Sequence, residues 1–176
     1  MAVVEYVLDA IAQNRRGLVG MVSGLTAEQL AWRPGPEANP IGFMTWHLFR
    51  FEDDFVHARL GGGLPVWERG GWSVKWPQRP RPENASPLWP TGNSWTPREV
   101  SEFRAPPLEE VLAYGQAERE SAVAIIKTLD DTSLDQPINS NNPQANKGLV
   151  LRVITLHELE HLGHIEMLLG LMKAKG

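Results

Sequence analysis

Three of the chain's five histidines fall within eight residues, His157-Glu158-Leu159-Glu160-His161-Leu162-Gly163-His164, in a segment that otherwise reads as an apolar helix. At about 100° per residue, His161 lies roughly 40° from His157 on the helical wheel, and His164 about 20° from it on the other side. Val150, Val153, Ile154, Leu168 and Met172 share that stripe, so the imidazoles point toward the expected core. A single buried histidine is ordinarily a hydrogen-bonded core residue. Three on one stripe must each find partners for their ring nitrogens in a dry setting, and a divalent metal would satisfy two or three of them together.

Two histidines four apart on a helix make a good ligand pair, but a site needs at least one more group. His164 could supply it, although three ligands stacked along one helix converge poorly on one ion. A histidine from another helix is the more natural donor. His47 qualifies, since it shares a helical face with Phe43, Phe51, Asp54 and Ala58. Asp54 could orient an imidazole, ligate, or pair with an arginine. His57, roughly 80° from His47, is expected at the solvated boundary. The chain has no cysteine, so any metal must be held by histidine, carboxylate or water, and no protein thiol can act as nucleophile.

His157-Glu158-x-x-His161 also matches the zincin protease signature, with Glu158 as general base. Three features argue against that reading. The extended form with Gly and then His further along is absent, because His164 and Met167 occupy those positions. Little chain follows His161 to supply a downstream glutamate. No sheet-forming region precedes the helix to hold an extended peptide.

The elements that must position these groups are four long helices. The first is expected from about Val3 to Ser23, with Val4, Val7, Ile11, Leu18 and Met21/Val22 as its apolar stripe. Thr26 and Gln29 form a capping box for a short helix before Trp32-Arg33-Pro34-Gly35-Pro36. The second long helix is expected to be capped by Asn39, to have Pro40 in its first position, and to run to about Leu60, where Gly61-Gly62-Gly63 stops it. The third should span about Pro107 to Leu129, and the last roughly Lys147 to Lys173 after a polar Asn/Gln/Pro loop. Between the second and third lies a long excursion holding five of the seven tryptophans and nine of the fourteen prolines. Aromatic burial would hold such a segment against the body, and its length suggests a functional wall or lid. The expected fold is all-α: one domain over residues 1–176, a four-helix bundle with a long Trp/Pro-rich connection between its second and third helices.

Composition narrows the partners. The formal net charge is −4 with no basic run, which disfavours nucleic acid and anionic membrane surfaces. The N-terminal stretch is acidic and amphipathic, unlike a signal peptide, and no apolar window is long enough to span a bilayer. A cytoplasmic protein is expected.

Several pieces in order carry a family resemblance. They are Leu25-Thr26-x-Glu28-Gln29-Leu30-x-Trp32-Arg33-Pro34, then Asn39-Pro40-Ile41-Gly42-x-x-x-Trp46-His47-Leu48, then Arg50-x-Glu52-Asp53. At the other end stand His157-x-x-x-His161-x-Gly163-x-Ile165 and Leu168-Leu169-Gly170-Leu171. Together they resemble the DinB-like metal-binding bundles, which include bacillithiol transferases and mycothiol-dependent maleylpyruvate isomerases. The resemblance implies a homodimeric bundle with one divalent metal, commonly zinc or nickel, on one histidine of the second helix and two of the last: His47, His157 and His161. His164 stands where relatives often have glutamine, as an additional ligand or a residue lining the mouth.

Three neutral imidazoles leave coordination positions open, and an open site lowers the pKa of a bound water or thiol. With no cysteine in the chain, thiol chemistry needs a low-molecular-weight thiol as cosubstrate and a small electrophile as acceptor. A metal-dependent thiol transferase is the leading expectation. The alternatives are a metal-dependent hydrolase using water, with Glu158, Glu160 or Asp54 assisting, and a non-catalytic metal-binding dimer. Arg50, Glu52 and Asp53 are further candidates for orienting groups.

Overall fold

The computed structural model describes residues 1–61, 63–138 and 144–175. Its helices, in chain order, are α1 (Val3–Val22), α2 (Ala27–Ala31), α3 (Ile41–Val56), α4 (Val66–Arg69), α5 (Trp72–Lys75), α6 (Pro97–Glu102), α7 (Leu108–Ile126) and α8 (Lys147–Lys175). There is no β-strand among the described residues, so the all-α expectation holds. None of the described helices is long and apolar enough to cross a membrane.

Side-chain pairings fix the direction of each long helix. The Tyr114 hydroxyl donates to Asp53 and Ser121 meets His57, so α7 runs parallel to α3. His47 faces His161 while Phe51 stacks on His157, so α8 runs antiparallel to α3. The Asn14 amide donates to the Thr155 carbonyl, and Gly17 lies against Leu162, so α1 runs parallel to α8. The order is therefore up, down, down, up. Two consecutive parallel helices require a connection that returns along the whole bundle, which accounts for the long excursion between α3 and α7. Close approach of these two helices depends on Gly115, where an added Cβ would stand 2.3 Å from the Phe49 ring.

The α1 stripe of Val4, Val7, Ile11, Leu18 and Val22 is buried as its period requires. Helix α3 differs from an amphipathic surface helix, since every residue from Ile41 to Asp53 is buried. It is the central helix, covered by α7, α8 and the excursion. Its start departs from expectation. Pro40 is the capping residue and Asn39 makes no capping bond, because the missing proline N–H costs nothing one position earlier. Its end widens into a π-turn at His57–Gly61. Helix α7 stops at Ile126, three residues short of the expected end. Gly62 of the glycine stop and residues 139–143 of the polar loop lie outside the described residues.

The excursion is fastened by aromatic packing and by one carboxylate. Trp67 and Trp89 are buried, and Trp95 packs on Trp46 and Trp89 with ring centroids 5.7 and 5.2 Å apart. Asp53 accepts the Val66 and Trp67 backbone N–H groups, each at 2.8 Å, and so caps α4 from a neighbouring helix where Pro65 offers no side-chain bond. The expected capping box of Thr26 with Gln29 forms, and Thr96 with Glu99 makes a second at the start of α6.

Candidate metal centre

Helix α3 delivers His47 and α8 delivers His157 and His161 to one place. One ring nitrogen from each lies within 4.8 Å of the other two. Ring centroids stand 5.0 Å apart for His47 and His157, 5.1 Å for His47 and His161, and 4.6 Å for His157 and His161. His47 is buried, and the other two are half-buried.

The orientation of His47 is set from two sides. Its Nδ1–H donates to the Thr91 carbonyl at 2.7 Å, which leaves Nε2 unprotonated in the neutral ring. That carbonyl comes from the excursion, at a turn where Gly92 adopts φ +91° and approaches Phe43 and Trp46 so closely that an added Cβ would stand 2.9 Å from the Phe43 ring. Phe43 also lies parallel to the imidazole, centroids 5.9 Å apart. His157 stacks on Phe51 at 3.9 Å.

The free Nε2 of His47 lies 3.1 Å from Nε2 of His157. Two nitrogens bound tetrahedrally to one ion at 2.0–2.1 Å stand about 3.3 Å apart, so this spacing suits joint ligation. Among the described residues the buried Nδ1 of His161 has no hydrogen-bond partner. Burial depresses the affinity of all three rings for protons: His47 is lowered, His157 falls to about 3 and His161 to about 4, with the neighbouring histidines adding to the effect on the last two. Three neutral nitrogen donors, one lacking any partner, fit a divalent ion.

Other residues singled out by the sequence go elsewhere. His164 is exposed, 5.4 Å from the His161 ring, and stands outside the group of three. Glu158 turns into the bundle, where Arg119 and Arg15 pair with it, so the general base of the protease reading is engaged structurally. Glu52 joins the same network through Arg15 at 3.2 Å and Arg119 at 2.6 Å, and Arg15 also meets Glu118 at 2.5 Å. Arg50 lies over the Trp67 ring and 3.6 Å from Asp53. Asp54 is half-buried near Arg50 and Arg59, its pKa raised by burial, and no hydrogen bond joins it to the three histidines among the described residues.

His57 is a correction. It is buried rather than solvated, donating from Nδ1 to the Asp53 carbonyl at 2.7 Å and meeting Ser121 at 2.8 Å through Nε2. The wheel counted only the apolar stripe of α3, whereas α7 covers the flank on which His57 sits. Thr91 was not foreseen, because a backbone carbonyl leaves no side-chain signature; only the glycine after it hints at a tight turn.

A search of curated proteins returns no match. Among solved structures, the chain is similar to the crystal structure of a conserved protein from Enterococcus faecalis. The TM-score is 0.81 at 16% identity, covering 96% of this chain and 95% of that one, a likeness of fold. The family model of the DinB superfamily matches residues 10–165, a span that includes all three clustered histidines, and the chain belongs to that superfamily.

Proposed function

We propose that this protein is a metal-dependent enzyme that activates a low-molecular-weight thiol for transfer to a small electrophile. His47, His157 and His161 would hold the ion, zinc or nickel as the family resemblance implies, and imidazole donors suit either. When bound, it supplies Lewis acidity that favours the deprotonated form of a thiol or a water molecule at neutral pH. The protein's part is to present three unprotonated nitrogens. The Thr91 carbonyl holds the His47 proton on Nδ1, burial keeps His157 and His161 neutral, and Phe43 and Phe51 fix two of the ring planes. Three protein donors leave room for an exogenous ligand, whereas structural zinc sites normally fill four protein positions.

The observation that favours a thiol over water is the fate of the carboxylates. A hydrolase benefits from a general base beside the attacking water. Glu158, the best candidate by spacing, is committed to Arg119 and Arg15, and Asp54 makes no bond to the cluster. A thiol ionises far more readily than water and has less need of such a base. The absence of cysteine means that the thiol must come from solution.

The test is loss of an electrophilic dye such as monochlorobimane by metal-loaded protein with and without an added low-molecular-weight thiol. Thiol-dependent turnover that disappears in His47→Ala supports the reading. Equal consumption without thiol, with release of the hydrolysed dye, would establish the hydrolase instead.

A homodimer is also proposed. Leu156, Leu159, Met167 and Leu171 on α8 are each at least 41% exposed, and Gly163 and Gly170 face open space beside them, so a second α8 could pack closely. Light scattering should give twice the chain mass, reduced to a single chain by Leu159→Glu with Met167→Glu.

A further inference from the structure

A cavity of about 540 Å³ opens where α2, the start of α3 and residues 100–108 meet. Its size is that of a small-molecule site. Leu30, Phe43, Val100, Phe103, Pro106 and Leu108 form most of its wall. No histidine among the described residues lines it, and Phe43 separates it from the His47 ring on which that phenyl stacks.

Two cations, Arg33 and Arg104, border this apolar space, and no aspartate or glutamate among the described residues lines it. Neither arginine has a carboxylate within ion-pair range among the described residues, and Arg33 makes one hydrogen bond, to the Pro36 carbonyl at 3.2 Å. Two guanidiniums with no carboxylate in ion-pair range among the described residues thus stand beside an apolar hollow. The start of α3 adds to the same field, since Pro40, Gly42 and Phe43 line the cavity and no side chain caps the helix.

We infer that this cavity binds a small organic carboxylate, its apolar body against Phe43, Val100 and Phe103 and its anionic end between Arg33 and Arg104. Apolar burial supplies affinity, and the two guanidiniums on the cavity lining select an anion over an uncharged molecule of the same shape. The site is separate from the three histidines and requires no metal.

Calorimetric titration of metal-free protein with 2-naphthoate, and separately with uncharged 2-naphthalenemethanol, tests it. Wild-type protein should bind naphthoate saturably, and Arg33→Gln with Arg104→Gln should weaken that binding by about tenfold or more, as loss of charge-assisted bonds predicts. His47→Ala should leave naphthoate binding intact, and the alcohol should bind wild type and the arginine variant alike. The inference is overturned by absent naphthoate binding, by equal affinity in the arginine variant, by loss in His47→Ala (which would place the carboxylate at the histidines), or by equal weakening of the alcohol.

Discussion

Two polar clusters lie side by side in the interior, and adjacent residues of α8 belong to each. His157 joins the imidazoles, while Glu158 joins Arg15, Glu52, Glu118 and Arg119. The second cluster is built of opposites. Burial and the neighbouring Glu52 push Glu118 well above the ordinary carboxylate range and Glu158 to about 7. Three carboxyls facing two guanidiniums thus hold a proton and approach neutrality by themselves. The first cluster is built of likes: three bases that burial above all keeps unprotonated, with one buried ring nitrogen unpartnered among the described residues. Opposite charges that neutralise one another serve the fold, whereas neutral nitrogen donors gathered at one point suit a cation.

The largest effect should separate these roles by stability. Arg119→Ala strands the buried carboxylates of Glu52 and Glu158 and should cost about 3–5 kcal/mol in urea unfolding. In metal-free protein His161→Ala, which removes a half-buried ring with an unpartnered nitrogen, should change stability by less than about 1 kcal/mol. Equal costs would erase the contrast.

The pH profile should show opposite slopes from the two clusters. In metal-free protein, folded His157 and His161 titrate at about 3 and about 4 against an ordinary 6.5, so the unfolded chain binds more protons in between and stability falls as pH drops below 6.5. For Glu118 and Glu158 the folded state keeps protons that the unfolded chain releases above 4.5, so their contribution is lost as pH rises, through about 7 for Glu158 and in the same direction for Glu118. Replacing His157 and His161 together by Asn should flatten the acid side, and Glu118→Gln the neutral side. Profiles insensitive to both changes would contradict the charge states assigned here.

How much of this was legible in sequence differs between the clusters. The histidines were readable because three rare, chemically specific residues sat on one helical stripe, with His47 on another. The fold was readable from helix punctuation, with the excursion's length following from the parallel run of α3 and α7. The ionic network was not, since Arg15, Glu118 and Arg119 look like any solvated helix charges until the packing of α1, α3, α7 and α8 encloses them. His57 was misplaced for the same reason: a wheel knows one helix, and its burial is decided by a neighbour. The acidic pair of Glu52 and Asp53 separated, one into the network and the other to cap α4.

The smallest expected effect sharpens the boundary of the site. His164, exposed beside His161, should be replaceable by alanine with a loss of metal affinity below the about tenfold typical of residues that support a ligand. A larger loss would make it a fourth ligand.

The most direct test is elemental analysis of tag-free wild-type, His47→Ala and His57→Ala proteins after exposure to zinc or nickel and removal of unbound ion. Both wild type and His57→Ala should carry about one ion per chain, and His47→Ala should fall to background. Metal retained equally by all three, or held by none, would contradict a centre built from His47, His157 and His161.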